Sequence, residues 1–185
     1  MAFVSRAGAK LDHALTTFDL DVAGLVCADL GCNVGGFTDC LLQRGATKVF
    51  AVDTGYGALD WKLRKDPRVV VMERTNAMHV NLPERVPFIC IDVAWTRQRR
   101  ILPSARKLIS LGGTVVTLIK PHYEADRAWL VKGVLPAERV DEVVDAVKLD
   151  ITAAGFEFIG LTRSPILGGE GNTEVLAQLR PAQGS

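Results

Sequence analysis

The sequence has almost no net charge, few cysteines and no long apolar run, and each shortage excludes a class of protein. Lysine and arginine number 22 against 21 aspartates and glutamates, which gives a net charge of +1 and argues against a surface that is a polycation throughout. The net charge does not exclude a local basic patch. No stretch reaches the roughly 18 apolar residues needed to span a bilayer, and residues 1–10 lack the apolar core of a secretory signal. We therefore expect a cytoplasmic protein that makes no membrane contact.

Cysteine spacing and chain length narrow the class further. The four cysteines show neither CxxC nor Cys/His ligand spacing, so no metal site is predicted and they are expected to be small core residues. At roughly 150 residues per domain, the 185 residues of the chain correspond to one domain.

Strand and helix signals alternate along the chain, which is typical of an α/β fold with a mainly parallel sheet. Strands are predicted at residues 25–30, 48–52, 68–72, 87–92, 114–119, 156–161 and 173–179. Helices are predicted at residues 5–17, 58–65, 102–111 and 137–154, and another begins in the turn 31–36 and ends at Gly45. The pair Gly112-Gly113 is expected to close the helix 102–111. These elements predict a Rossmann-like sheet of seven strands.

The first predicted strand ends in a glycine-rich turn. Residues 29–37 contain the pattern G-x-x-x-G-G, and Asp53 ends the second strand 22 residues after Gly31. Glycines here let a ligand approach the backbone at the sheet edge where α/β folds bind ligands. The spacing differs from the dinucleotide pattern G-x-G-x-x-G, and the Asp53 carboxylate can accept both ribose hydroxyl protons. These features predict S-adenosylmethionine; the alternatives are a tight turn without a ligand and a solvated carboxylate at Asp53.

Three polar residues follow apolar strands and are expected to converge. Asp92 ends the fourth strand, Lys120 ends the fifth, and Glu174 begins the last. If the last strand is antiparallel, all three meet at one sheet edge beside the cofactor. A lysine after five apolar residues is costly to bury unless it is paired. The alternative to a catalytic cluster is a structural ion pair.

Eight short segments then point to a known family. They are residues 5–11 (SRAGAKL), 29–39 (DLGCNVGGFTD), 51–57 (AVDTGYG), 63–69 (LRKDPRV), 73–76 (ERTN), 119–121 (IKP), 164–166 (SPI) and 171–174 (GNTE). As an ordered set over nearly the whole chain, they resemble the FtsJ-type RNA 2′-O-methyltransferases, most closely the TlyA branch, whose members also carry the name hemolysin. The resemblance implies a class I methyltransferase fold with an antiparallel last strand and helices on both faces. It also implies S-adenosylmethionine as cofactor and RNA, in particular ribosomal RNA or a ribosomal subunit, as substrate.

The resemblance also implies roles for particular residues. The family's Lys-Asp-Lys-Glu tetrad falls on Lys10, Asp92, Lys120 and Glu174, with residues 1–20 contributing Lys10 and residues 21–185 forming the Rossmann-like core. Lys120 is the expected general base, with Lys10 as the neighbouring cation that favours a neutral amine. Asp92 and Glu174 are expected to orient the two ammonium groups. The expected cofactor-binding residues are Asp29, Gly31, Asn33, Gly35, Gly36, Phe37, Asp53, Asn76 and Asp92.

The sequence departs from the family pattern in three places. TlyA-type proteins usually begin with an S4 RNA-binding domain, which this chain has no room for, so an RNA-delivering partner protein is expected in its place. The Ser-Phe-Ile-Ser-type stretch after the aspartate is replaced by residues 93–96 (VAWT), and His122-Tyr123 stand where the family has Gln-Phe. The last two changes border the acceptor side of the site, so they bear on which acceptor it takes.

RNA contacts are expected from Arg6 and from the segment after Asp92. Arg97, Arg99 and Arg100 are expected to bind phosphates from a loop, and Trp95 to stack on a base; a solvated basic loop is the equal alternative. Other functions also stay open: a non-catalytic cofactor-binding or ribosome-associated module, and a methyltransferase that acts on a small molecule or a protein. A pore-forming hemolysin is disfavoured because no membrane segment is present.

Overall fold

The computed structural model describes residues 2–182 and consists of one seven-stranded sheet with helices on both faces. The strands are β1 (Val26–Leu30), β2 (Lys48–Val52), β3 (Val69–Met72), β4 (Val86–Ile91), β5 (Ile109–Ile119), β6 (Phe156–Arg163) and β7 (Val175–Pro181). The α-helices are α1 (Ala7–Thr17), α2 (Gly36–Gln43), α3 (Trp61–Arg64), α4 (Gln98–Leu108), α5 (Pro121–Glu124) and α6 (Val140–Ala153). Within residues 2–182, no helix is both long and apolar enough to cross a bilayer.

The strand order places one crevice at the carboxyl edge of the sheet. The order is β3-β2-β1-β4-β5-β7-β6. Strands β2 and β3 lie on one side of β1, and β4 and the later strands lie on the other. The strand order therefore reverses at β1, and α/β sheets bind ligands at such a switch point. Strands β1 to β5 are parallel, whereas β7 is antiparallel to β5 and β6. Val175 pairs with Ile119, so the start of β7 lies at the ends of the parallel strands. The predicted fold class is confirmed.

Two apolar layers hold the sheet between its helices. On one face, α4 and α6 pack their apolar residues against alternate strand positions such as Ala28 and Leu30. On the other, α1 and α2 cover positions such as Cys27 and Cys90. This alternation follows from the period of two along a strand. It leaves both faces of the central strands buried, as their continuous apolar runs predict.

The predicted boundary between the helix 102–111 and the fifth strand is wrong. Helix α4 begins four residues earlier, at Gln98, and β5 extends back to Ile109, so Gly112 and Gly113 lie inside a strand. The register between β4 and β5 shifts at this point, and Gly112 has φ +75°. A Cβ at Gly113 would meet the carbonyl oxygen of Pro87. The two glycines therefore serve a sheet irregularity rather than a helix end.

Other differences are smaller. The helix predicted at 58–65 is the single turn α3, because Asp60 caps it and accepts the amide proton of Lys62. Helix α1 begins at Ala7 rather than residue 5, and α6 is preceded by a 3-10 turn at Ala137–Arg139. Strand β7 begins at Val175, so Glu174 lies one residue before the strand. Helix α5, directly after Lys120, was not predicted.

Candidate active site

A cavity of about 580 Å³ opens at the carboxyl edge of the sheet. Its walls come from the turns after β1, β2, β3 and β4, from the end of β5, and from the segment that enters α1. The lining includes eleven of the residues predicted from the sequence to form a site: Arg6, Lys10, Gly31, Asn33, Gly36, Phe37, Asp53, Asn76, Asp92, Trp95 and Lys120. The lining residues Ser5 and Lys120 are 115 positions apart in the chain, so the fold brings distant segments together.

Two glycines of the turn after β1 permit close approaches that no side chain would allow. Gly31 has φ +93°, and a Cβ there would collide with the carbonyl of Asp92 on the adjacent strand end. A Cβ at Gly36 would collide with the Ser5 hydroxyl, so this glycine lets the entry to α1 pack on the first turn of α2. That packing places Lys10 in the cavity wall. At Gly31 both the contact and the backbone angle require glycine, whereas at Gly36 the contact alone does.

Asp53 holds two backbone turns of the cavity in place. One carboxylate oxygen accepts the amide proton of Asn33 at 2.9 Å, and the other accepts that of Gly55 at 2.7 Å. Each oxygen keeps a second lone pair, which suits the hydroxyls of a ribose. Asn76 lies in the same half of the cavity, where its side-chain oxygen accepts the amide proton of Met78 at 2.9 Å.

This half of the cavity fits an adenosine-bearing cofactor. It combines a glycine turn without side-chain bulk, a carboxylate with free lone pairs, and an asparagine side chain. Phe37 and Met78 add apolar lining. Polar groups at a few fixed points on a largely apolar wall are typical of a cofactor site.

Two of the predicted cofactor residues do not reach the cavity. Asp29 is fully buried in β1, where its carboxylate accepts the hydroxyl proton of Thr38 at 2.6 Å and so fastens α2 to the sheet. Burial raises the pKa of the Asp29 carboxyl to about 7. Gly35 turns away from the cavity, and a Cβ there would collide with Leu63 and Leu59. Both residues support the turn from the side that faces away from the cavity. The cavity side of the turn is formed by other residues of the same segment, such as Gly31, Asn33 and Gly36.

The four tetrad residues form two ion pairs. Lys10 Nζ pairs with the Glu174 carboxylate across 164 positions of sequence. Lys120 Nζ lies 2.6 Å from Asp92 Oδ1 and donates a hydrogen bond to the Val93 carbonyl at 3.4 Å. The predicted convergence at the sheet edge is therefore present, with β7 antiparallel as it requires.

The two pairs differ in their access to the cavity. The Lys10 and Glu174 side chains are 9% and 4% exposed, and Glu174 does not line the cavity. The Lys120 and Asp92 side chains are 16% and 18% exposed, and both line it. Among the four tetrad residues, Glu174 alone does not line the cavity, and it contacts Lys10, which does. Lys120, Asp92 and Lys10 are the groups that can meet a substrate.

The residues predicted to bind RNA fall into two groups. Arg6 and Trp95 lie at the cavity, and Trp95 is 79% exposed. The arginines do not lie on a loop as predicted: Arg97 is the N-cap of α4 and donates to the Ala125 carbonyl, while Arg99 and Arg100 are in the first helical turn. None of the three lines the cavity. The helix starts earlier than predicted because Glu124 accepts the amide proton of Gln98 at 2.7 Å.

Two groups near the site, His122 and Cys32, were assigned no catalytic or binding role from the sequence. His122 is buried in α5, its Nδ1 has no hydrogen-bond partner within residues 2–182, and burial lowers its pKa. Cys32 lines the cavity, but burial raises the pKa of its thiol, so it is no nucleophile near neutral pH. No group of three or more potential metal ligands occurs in the described part of the chain.

The comparisons with known proteins agree with this geometry. The model of the FtsJ-like methyltransferases matches residues 3–180. The chain belongs to the FtsJ-like methyltransferase family. Its relatives include YqxC of Bacillus subtilis, which is 43% identical over 100% of this chain and 68% of that protein. The 16S/23S rRNA (cytidine-2′-O)-methyltransferase TlyA of Mycobacterium tuberculosis is 40% identical over 97% of this chain and 69% of that protein.

A solved structure supports the assignment. A hemolysin-named protein of Streptococcus thermophilus superposes with a TM-score of 0.95 at 39% identity, over 99% of this chain and 68% of that one. The predictions of an FtsJ-type family, of a methyltransferase enzyme and of S-adenosylmethionine as its cofactor are confirmed. The roles of the individual site residues stay predictions.

Proposed function

We propose that the protein transfers a methyl group from S-adenosylmethionine to a ribose 2′-hydroxyl of ribosomal RNA. The observation that carries this proposal is the Lys120–Asp92 ion pair in the wall of the cavity, with Lys10 in the same wall. The matched family and the rRNA 2′-O-methyltransferase name of the Mycobacterium tuberculosis relative agree with it.

Asp53 and Asn76 are the proposed polar contacts to the adenosine part of the cofactor, and Gly31 and Phe37 line the space beside them. When bound, the cofactor supplies a methyl group that its sulfonium makes electrophilic. The chain must then fix a weak nucleophile in line with that methyl group and remove its proton.

Lys120 is the proposed general base. It lies 2.6 Å from Asp92, and it must be a neutral amine when it accepts the 2′-hydroxyl proton. Asp92 then holds the resulting ammonium. Lys10, fixed by Glu174 from behind, is the proposed contact to the oxygen that develops negative charge.

Trp95 and Arg6 are the proposed RNA contacts at the cavity. Trp95 has φ +51°, an unusual angle for a bulky residue, and strain of this kind concentrates at functional sites. Residues 1–20 and 21–185 act as one catalytic domain in this proposal, and an rRNA substrate agrees with the predicted cytoplasmic location. An RNA-delivering partner protein stays a prediction.

Transfer of a labelled methyl group tests the proposal. The full chain is incubated with labelled cofactor and with naked 16S rRNA, naked 23S rRNA or intact ribosomal subunits, and the label is mapped to a nucleotide. We expect a 2′-O-methylated ribose in one of these substrates, and much slower labelling with Lys120→Met. Label on a base or on protein would contradict the proposal. Tight cofactor binding without transfer to any RNA would favour a non-catalytic module.

A further inference from the structure

The most exposed aromatic side chains of the protein are not scattered over its surface. Tyr56, Trp61 and Trp95 are 73%, 67% and 79% exposed, and no other Phe, Tyr or Trp of residues 2–182 is exposed to this degree. All three lie on connections at the carboxyl edge of the sheet. Single exposed apolar residues are ordinary, but three aromatic ones at the edge of one cavity are a pattern that the cofactor site does not explain.

Tyr56 and Trp61 each carry a cation on one face of the ring. The Arg74 guanidinium lies 4.1 Å from the centroid of Tyr56, and Lys65 Nζ lies 4.9 Å from that of Trp61. Neither cation is part of an ion pair within residues 2–182. Because the rings are so exposed, their opposite faces are open to solvent. We call these four residues the aromatic–cation strip.

The strip borders the cavity through its neighbours in the chain. Thr54 and Gly55, which precede Tyr56, line the cavity, as does Thr75, which follows Arg74. The Arg74 amide donates to the Gly55 carbonyl at 3.0 Å, so the two loops are joined at the mouth. At the other end, the amide of Asp60, the residue before Trp61, donates to the carbonyl of Val34, another lining residue.

The backbone at Arg74 gives independent support for a function. Arg74 has φ +52°, a region that costs a bulky residue free energy and suits glycine. Glycine would adopt this backbone angle at a lower cost in free energy. The residue is nevertheless an arginine, and its guanidinium lies on the Tyr56 ring. Such a strained residue beside a binding site points to a role in binding.

We propose that the aromatic–cation strip binds a single-stranded segment of the RNA that flanks the target nucleotide, an inference that rests on the proposed function. Bases stack on the open faces of Tyr56 and Trp61, and Arg74 and Lys65 contact the phosphates between them. Alternating aromatic faces and cations suit single-stranded nucleic acid, whose bases expose both faces. A protein partner would be favoured by a continuous apolar patch, whereas here the four residues alternate in character.

The test uses the full chain and a labelled single-stranded oligocytidine of about 12 nucleotides, near the length that one such surface covers. We expect Tyr56→Ala and Trp61→Ala each to weaken binding by about fivefold or more, the usual effect of a lost base stack. Arg74→Gly should reduce the slope of log affinity against log salt by about 0.7, the effect of one phosphate contact. The matched control is Lys148→Ala, which removes a cation at 5.2 Å from the Phe158 ring and should bind as the wild type does.

Folding and cofactor binding are checked on the same variants. Arg74→Gly should not lower the melting temperature, because glycine relieves the backbone angle. The affinity for S-adenosylmethionine, measured by calorimetry, should stay unchanged in every variant. A loss of cofactor affinity with unchanged RNA affinity would overturn the inference, and so would RNA affinity equal to that of the wild type in the Tyr56 and Trp61 variants.

Methyl transfer separates this inference from the proposed function. If the wild type binds the oligonucleotide through the strip but methylates no RNA, the proposed function is wrong and RNA binding by the strip is supported. If rRNA is methylated and the KM for RNA is unchanged in Tyr56→Ala and Trp61→Ala, the proposed function is supported and RNA binding by the strip is wrong. A wild type that binds no single-stranded RNA overturns the strip directly.

Discussion

The two sides of the cavity use carboxylates in different ways. On the side of β1 and β2, Asp29 and Asp53 accept hydrogen bonds from a hydroxyl and from backbone amides. On the side of β4 and β7, Asp92 and Glu174 pair with lysines. The first side, with Asp29 and Asp53, fixes the shape of the proposed cofactor site, and we call it the cradle side. The second, with Asp92 and Glu174, arranges charge around the proposed place of the acceptor, and we call it the charge side.

This difference separates binding from chemistry. Carboxylates that hold neutral donors add rigidity without placing a base near the ligand, whereas a carboxylate–lysine pair can hold, release and recover a proton. Changes on the cradle side should alter cofactor affinity or stability and leave the chemical step intact. Changes on the charge side should slow the chemical step and leave cofactor affinity and stability unchanged. A change that breaks the buried Lys10–Glu174 pair is the exception, because it also lowers stability.

The largest effect is expected for Lys120→Met. Removal of the proposed base should lower the rate of methyl transfer by about 10²- to 10⁴-fold at saturating cofactor, the usual contribution of general base catalysis. Any part of the pH dependence of the wild-type rate that comes from this amine should be absent from the residual rate of the variant. Calorimetry should show unchanged cofactor binding. Lys48→Met, which removes an exposed lysine paired with Glu84 at 3.5 Å, is the control; equal activity of both variants would exclude Lys120 as the base.

Lys10→Met should lower both the stability of the protein and the rate of methyl transfer, because Lys10 pairs with Glu174 and is the proposed contact to the reacting oxygen. It leaves the Glu174 carboxylate buried without its partner, which costs about 3–5 kcal/mol in comparable buried pairs. The double variant Lys10→Met/Glu174→Leu should regain most of that free energy of unfolding, because no charge stays buried alone. Urea unfolding measures both. If the double variant also regains methyl transfer, the pair is a structural brace without a role at the acceptor.

Asp29 should make stability depend on pH. Its pKa is raised by burial from 3.8 to about 7, so between these values the folded protein holds a proton that the unfolded chain has lost. Stability therefore falls as the pH rises from about 4 to 7, by on the order of 4 kcal/mol at 1.36 kcal/mol per pKa unit. Asp29→Asn removes this slope, since an amide cannot ionise and still accepts from Thr38.

Unfolding of wild type and Asp29→Asn at about pH 4 and pH 8 measures the effect, with the 1.36 kcal/mol per pKa unit as its scale. We expect similar stability at the lower pH and a more stable variant at the higher one. Parallel stability curves would show that Asp29 has an ordinary pKa in the folded protein.

The cradle side was the easier one to predict from the sequence. The glycine turn, Asp53 and the strand ends are local signals, and a parallel sheet brings the ends of its strands to one edge by its topology. The pairing of Lys120 with Asp92 follows from the same rule. Glu174 could be placed only by assuming an antiparallel last strand.

Other features depend on tertiary contacts that leave no local signal. Lys10 is an ordinary helix lysine in the sequence, and only the packing of α1 on Gly36 brings it to the site. The early start of α4 depends on Glu124, a residue 26 positions away, which is why the basic loop predicted at Arg97 is a helix. Tyr56 and Arg74 lie on separate loops, so their contact could not be inferred from spacing.

The smallest effect is expected for Asp53→Asn. The amide keeps one oxygen for a backbone donor, but its NH₂ group faces the other amide proton, of Asn33 or Gly55, and loses that hydrogen bond. A lost hydrogen bond to a charged group is worth about 1.5–3 kcal/mol, so the weakened cradle should raise the cofactor Kd by roughly 10- to 150-fold.

The rate at saturating cofactor should stay near that of the wild type, because Asp53 touches no group of the charge side. Asp145→Asn, which changes an exposed carboxylate paired with Lys148 at 2.8 Å, is the control and should bind the cofactor normally. Suppose that Asp53→Asn lowered the rate of methyl transfer at saturating cofactor while the cofactor Kd stayed constant. The two sides of the cavity would then not separate cofactor binding from chemistry. The shape of the cradle would then be coupled to the chemical step through the turn that Gly31 makes against Asp92.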